Sequence, residues 1–172
     1  MKQILLMRHT KSSWENEHLQ DFERPLSPRG IADAPMMGKF IKRAGYIPEF
    51  VIASPAQRAK ETLLHVADKT SLDHAQIAWD QDLYFGSVEN YIRAIQSAPS
   101  NTETIMLVGH NPLMEHTAGW LSGSRERVSF RMPTAAIVCL ESYAINWDQI
   151  NTGTCQVKWM MIPKAIKSVF SD

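Results

Sequence analysis

Four side chains in the sequence have the chemistry needed to bind and transfer a phosphoryl group. Arg8 and His9 come directly after one apolar run. Arg58 closely follows a second apolar run, and His110 follows a third. Guanidinium groups pair bidentately with phosphate oxygens. A neutral imidazole can attack phosphorus, and nearby arginine charge favours the neutral form of the ring. These residue types predict a phosphate site with an imidazole nucleophile.

The apolar runs before these residues are typical of strands that are buried on both faces of a sheet. Segments with helical character separate them, and such alternation of strand and helix indicates a mainly parallel sheet. We therefore expect a three-layer α/β fold, in which a central sheet lies between helices on both faces. The predicted strands are 4–7, 50–53, 76–79, 105–108, 135–140 and 155–162, and the predicted helices are 28–44, 55–68, 88–96 and 112–121.

Pairs of a capping residue and proline mark the predicted start of three helices. The capping side chain accepts a backbone hydrogen bond, and proline fits the first helical position. The predicted caps are Ser27, Ser54 and Asn111. Gln57 lies three residues after Ser54, as in a capping box. Pro35 lies inside the first helix, where we expect a kink.

The predicted fold brings the four side chains to one edge of the sheet. Carboxyl ends of parallel strands meet at such an edge, and ligands of open α/β sheets bind there. Helix N-termini at the same edge present free N–H groups that favour an anion. Each of the four residues taken singly is more often structural than functional. Their recurrence at successive strand ends is the observation that favours a phosphate site.

Composition and charge limit the class of protein. The 172 residues fit one domain, 1–172, and the formal net charge is zero. This balance argues against bulk attraction to nucleic acid or to an anionic membrane. No apolar stretch approaches the roughly 18 residues of a membrane span or has the form of a secretory signal, so we expect a cytoplasmic protein. Cys139 and Cys155 are expected to be buried, unreactive thiols. We expect no cofactor and no metal.

Four segments in this order form a pattern: LMRHT (6–10), RPLSPRG (24–30), ASPAQRAKET (53–62) and VGHNP (108–112). They resemble the motifs of the histidine phosphatase superfamily, which also contains the cofactor-dependent phosphoglycerate mutases. Their spacing is most similar to that of its small phosphohistidine phosphatase (SixA-type) branch. The resemblance spans residues 3 to 141.

The resemblance implies a phosphoglycerate mutase-like fold and a metal-independent reaction in which His9 becomes phosphorylated. Arg8 and Arg58 would hold the phosphate. His110 would donate a hydrogen bond to the charge that develops on the transferring group. Arg24 is a further candidate for phosphate binding.

Two positions stay open. Thr10 stands where the family has glycine or alanine; its bulk could crowd the phosphate, or its hydroxyl could donate a hydrogen bond to it. The larger family members use a carboxylate before a Phe–Gly pair as general acid, which makes Asp82 a candidate here. A phosphohistidine substrate depends less on an acid than an ester does, because imidazole is the better leaving group.

Three functions follow as hypotheses. The leading one is removal of phosphate from phosphohistidine on a protein partner, such as a histidine phosphotransfer domain, through a phospho-His9 intermediate. The first alternative is hydrolysis of small phosphate esters. The second is a phosphoprotein-binding module whose catalysis is impaired by Thr10.

Overall fold

The computed structural model describes residues 1–124 and 130–169 of the chain. Within these residues, strands form one central sheet and α-helices cover it. The strands are β1 (Lys2–Arg8), β2 (Phe50–Ala53), β3 (Ile77–Trp79), β4 (Thr104–Gly109), β5 (Ile137–Ser142) and β6 (Gln156–Met161). The helices are α1 (Pro28–Ala44), α2 (Gln57–Thr70), α3 (Asp82–Phe85), α4 (Val88–Gln96), α5 (Leu113–Leu121) and α6 (Pro163–Val169).

The strands follow the order β3-β2-β4-β1-β5-β6 across the sheet. β1 pairs in parallel with β4, and β2 pairs in parallel with both β4 and β3. β5 runs antiparallel to its neighbours β1 and β6. The sheet is therefore mainly parallel, as predicted, and β1, β2 and β4 end at the same edge.

Successive residues along β1 point into two separate hydrophobic cores. Ile4 and Leu6 belong to the core formed with α4 and α5. Leu5 and Met7 belong to the core formed with α1 and α2. All four side chains are fully buried. Burial on both faces explains the continuous apolar run of this strand and confirms the three-layer α/β arrangement.

The start of α1 agrees with the prediction. The side chain of Ser27 caps the helix by accepting a hydrogen bond from the backbone N–H of Gly30. The helix then continues through Pro35 to its last residue, Ala44.

The other two predicted caps are wrong. α2 begins at Gln57 with Ala56 as its N-cap, so Ser54 lies before the helix and no capping box forms. α5 begins at Leu113, and Asn111 does not cap it. Asn111 does not cap because its side-chain amide is used as a donor to Glu115 and Met132, whereas a cap must accept. Ser54 accepts the N–H of Ala56, which lies before the first residue of the helix.

Both cysteines are free and buried, as expected. Burial raises the pKa of the Cys139 thiol to about 12, which disfavours its reactive thiolate form. Among the described helices, none combines the length and the apolar character needed to cross a membrane.

Candidate active site

The four residues singled out in the sequence meet at the carboxyl edge of the sheet. Arg8 ends β1, and His9 follows it. His110 follows β4, and Arg58 lies in the first turn of α2. The ring centroids of His9 and His110 are 5.0 Å apart, and Arg58 Nε lies 3.3 Å from His9 Nε2. The shared edge of parallel strands thus produces the predicted cluster.

The hydrogen bonds of His9 show which ring nitrogen has a lone pair. Nδ1 lies 2.6 Å from the carbonyl oxygen of Thr10. Because a carbonyl only accepts, Nδ1 carries the proton and donates it, which leaves a lone pair on Nε2. Nε2 accepts the hydrogen bond from Arg58 Nε. The ring nitrogen that carries the lone pair therefore faces the guanidinium of Arg58.

The surroundings of His9 keep its ring neutral. Burial lowers the pKa of His9 to about 4, and the charges of Arg58 and Arg8 act in the same direction. The hydrogen bond to Thr10 only partly opposes these effects. At neutral pH the ring therefore has the lone pair that attack on phosphorus requires.

His110 is held by a residue that the sequence analysis assigned to helix capping. Its Nε2 lies 2.8 Å from Ser54 Oγ, and both side chains are buried. Ser54 Oγ also accepts the backbone N–H of Ala56, so its own proton is available to His110 Nε2. With Ser54 as the donor, the neutral ring carries its proton on Nδ1, a buried atom without a hydrogen-bond partner among the described residues. Burial, followed by the neighbouring His9, lowers the pKa of His110 to about 3.

Arg8 is oriented by the segment that enters β5. Its Nη1 donates to the carbonyl oxygen of Met132 at 2.8 Å. Glu115 on α5 holds that segment, because its Oε1 accepts the backbone N–H of Met132 and the side-chain amide of Asn111, each at 2.7 Å. Arg8 Nε is buried with no partner within the described part of the chain. That N–H is therefore available to a ligand.

Arg58 is anchored at the end of its guanidinium by Asp21. Nη2 donates to Asp21 Oδ2 at 2.9 Å, and Nη1 donates to the backbone oxygen of Asp21. The hydroxyl of Tyr84 donates to the same Oδ2 at 2.8 Å. Burial alone raises the pKa of Asp21, but the Tyr84 hydrogen bond and the Arg58 charge outweigh it, so the net pKa is lowered. These contacts leave the side edge of the guanidinium, Nε and Nη2, facing His9 and any phosphate.

Arg24 lies next to this anchor. Its Nε is 3.9 Å from Asp21 Oδ1, and its guanidinium stacks on the ring of Trp14 at 3.9 Å. Nε and Nη1 of Arg24 are buried and have no hydrogen-bond partner in residues 1–124 or 130–169. Such unpaired donors fit the expectation that Arg24 contributes to phosphate binding.

The other two candidate residues have different surroundings. Thr10 is fully buried, and its hydroxyl lies 3.2 Å from the hydroxyl of Thr62, which donates to the carbonyl of Arg58. Thr10 therefore packs into the protein interior beneath the site. Asp82 is exposed and accepts a hydrogen bond from the side chain of Asn90. The carboxylate that contacts Arg58 is instead that of Asp21.

Sequence reasoning missed four residues that shape the site: Ser54, Asp21, Tyr84 and Glu115. A polar residue directly after a strand was the available sign for Ser54. The other three contact the site through tertiary packing, which has no local sequence pattern. Among the described residues, no group of three or more His, Cys, Asp or Glu side chains is arranged to hold a metal ion.

Comparisons with known proteins agree with this geometry. Residues 4–97 match the family model of the histidine phosphatase superfamily (branch 1). A chloroplastic protein of Arabidopsis thaliana is 30% identical over 156 residues, which cover 86% of this chain and 70% of that protein.

Two solved structures have a similar fold. The protein histidine phosphatase SixA complexed with tungstate has a TM-score of 0.82 at 23% identity, over 96% of this chain and 99% of that one. SixA from Agrobacterium tumefaciens has a TM-score of 0.77 at 24% identity, over 94% and 98% of the two chains. On the match to the family model and the arrangement of its motifs, the chain belongs to the histidine phosphatase superfamily.

Proposed function

We propose that this protein removes phosphate from phosphohistidine on a partner protein, through a phospho-His9 intermediate. The observation that carries the proposal is the pairing of His9 Nε2 with Arg58 Nε at 3.3 Å in a buried, cationic site. Membership of the histidine phosphatase superfamily supports phosphatase activity in general. The fold shared with a protein histidine phosphatase favours a phosphorylated protein as the substrate.

The proposed reaction begins with a change of partner for Arg58. A phosphate oxygen accepts the N–H of Arg58 Nε in place of His9 Nε2, which frees the lone pair of His9 Nε2. That lone pair forms a bond to phosphorus while the bond to the leaving group breaks. Arg8, Arg24 and Arg58 hold the equatorial oxygens, and His110 donates from Nδ1 to the developing charge. Water then attacks phospho-His9 and releases phosphate.

The two alternative functions differ in their structural support. The binding-module alternative depends on Thr10 crowding the phosphate. Thr10 is instead fully buried and hydrogen-bonds Thr62, which argues against this reason for impaired catalysis. Hydrolysis of small phosphate esters would use the same arginines and stays an outcome of the experiment below.

The proposal is tested by trapping the intermediate. Rapid quenching of the wild type with a phosphohistidine-containing protein should give a phosphoenzyme that is labile in acid and stable in base. His9→Ala should give none. His116→Ala, which alters an exposed histidine on α5, is the matched control and should still be phosphorylated.

Substrate preference decides between the phosphatase functions. We expect kcat/KM to be higher for the phosphohistidine protein than for sugar phosphates. An enzyme that forms phospho-His9 but prefers sugar phosphates would contradict the protein substrate. Phosphate binding with no turnover of any substrate would contradict the phosphatase itself.

A further inference from the structure

The carboxylate of Asp21 has one engaged and one available oxygen. Oδ2 accepts from Arg58 Nη2 at 2.9 Å and from the Tyr84 hydroxyl at 2.8 Å. For Oδ1, the contact found in the described residues is Arg24 Nε at 3.9 Å, which is longer than a hydrogen bond. About half of the side chain is exposed. Asp21 therefore presents an acceptor oxygen to whatever enters the site.

Asp21 and His9 contact different nitrogens of the same guanidinium, which defines a candidate direction for the leaving group. Arg58 spans the distance, because its Nε contacts His9 Nε2 and its Nη2 contacts Asp21. In the pose that this arrangement favours, one equatorial phosphate oxygen lies on the Nε–Nη2 edge of Arg58 and His9 lies on one side of phosphorus. In-line attack expels the leaving group on the opposite side, which in this pose faces Asp21.

The leaving group of phosphohistidine has its own requirement. If its second ring nitrogen is protonated, cleavage of the P–N bond leaves the electron pair on the ring and gives neutral imidazole. If that nitrogen is not protonated, the same cleavage gives an imidazolate anion, a much poorer leaving group. A group that stabilises the protonated ring therefore accelerates the transfer to His9. Oxygen-linked phosphate esters have no such N–H.

We propose that Asp21 Oδ1 accepts a hydrogen bond from the protonated ring nitrogen of a phosphohistidine substrate and so selects phosphohistidine over phosphate esters. This inference rests on the proposed function. Asp21 acts here as an ionised acceptor and does not transfer the proton. The donors around it are Arg58, Arg24 and Tyr84, and the net lowering of the Asp21 pKa agrees with a carboxylate that stays ionised.

The test compares Asp21→Asn with the wild type on two probes, phosphoimidazole and 4-nitrophenyl phosphate. The nitrophenolate leaving group needs no proton, so it reports on phosphate binding and on Arg58 alone. A hydrogen bond between charged groups contributes about 1.5–3 kcal/mol, so kcat/KM for phosphoimidazole should fall roughly 10- to 150-fold. The fall for nitrophenyl phosphate should be at least several-fold smaller.

One further readout and one control variant separate recognition of the leaving group by Asp21 from simple positioning of Arg58. The alkaline limb of the pH profile for phosphoimidazole should move to lower pH in Asp21→Asn, because the variant no longer stabilises the protonated ring. The matched control is Glu23→Gln, since Glu23 is an exposed acid in the same turn whose carboxylate accepts from the backbone N–H of Gln20. Glu23→Gln should leave the ratio of the two kcat/KM values unchanged.

The outcomes distinguish this inference from the proposed function. Equal losses on both probes would show that Asp21 only positions Arg58, and no loss on either would remove it from the reaction; both results overturn the inference. Failure of the wild type to form phospho-His9 overturns the proposed function instead. Loss confined to phosphoimidazole, together with the pH shift, supports the inference.

Discussion

Ser54→Ala should lower turnover because it removes the side chain that orients His110. The hydrogen bond between Ser54 Oγ and His110 Nε2 is 2.8 Å long and buried. Leaving a buried polar group without its partner costs about 1–3 kcal/mol. If this whole cost falls on the transition state, kcat decreases roughly 5- to 150-fold. The cost should not exceed the roughly 2.7–4 kcal/mol expected for losing the His110 donor itself.

The assay is steady-state kinetics on 4-nitrophenyl phosphate, with urea unfolding measured in parallel. Ser142→Ala is a matched control, because Ser142 is also a buried serine at a strand end and accepts the N–H two residues later. It lies at the opposite edge of the sheet, where Ser142 pairs with Lys2. Both variants should lose stability, and only Ser54→Ala should lose kcat. Equal kcat values for the two variants would refute the orienting role of Ser54.

Four other predictions concern separate parts of the site. On the acid side of the pH profile, kcat/KM should stay constant until the pH approaches 4, because the pKa of His9 is lowered from 6.5 to about 4. A decline of kcat/KM centred near pH 6.5 would contradict the lowered pKa. Between pH 4 and 6.5, the same lowered pKa means that His9 binds a proton in the unfolded chain but not in the folded protein. The free energy of unfolding should therefore decrease as the pH falls from 6.5 to 4. In urea titrations, His9→Gln should weaken this decrease. Thr10→Val should lower the free energy of unfolding by about 0.5–1.5 kcal/mol, because it removes one hydroxyl contact while Thr62 keeps its other hydrogen bonds. The value of kcat should be nearly unchanged, and a large loss of kcat would restore Thr10 as a phosphate ligand. Glu115→Ala should release the segment that orients Arg8 and raise KM for nitrophenyl phosphate roughly 10-fold, which corresponds to about 1.4 kcal/mol of binding free energy. An unchanged KM would show that Arg8 needs no such support.

The sequence made the central part of the site predictable because strand ends are local features. The apolar runs before His9 and His110 identify buried strands, and parallel pairing brings their ends together. The same logic places Arg58 after β2. Hydrophobic patterning and the geometry of a parallel sheet predict that the residues meet, whereas the role expected of each one comes from the resemblance to the superfamily.

The contacts that surround this cluster were not predictable by the same means. Asp21 lies in a polar segment without periodicity, and its position depends on bonds to Arg58 and Tyr84. Ser54 matched a helix-capping pattern, yet its hydroxyl bonds His110, which is 56 positions away. A capping pattern concerns only the backbone N–H groups that the hydroxyl can accept locally, and it carries no information about a contact with a distant imidazole.

The hydrogen bond from Arg58 to His9 also bears on the chemical durability of the resting enzyme. A histidine with a free lone pair is vulnerable to acylating and alkylating agents. The lone pair of His9 is already engaged by Arg58 Nε, and only a ligand that competes for this guanidinium releases it. An oxyanion is such a ligand, whereas an uncharged electrophile is not. His9 Nε2 is thus protected from uncharged electrophiles until an oxyanion displaces it from Arg58.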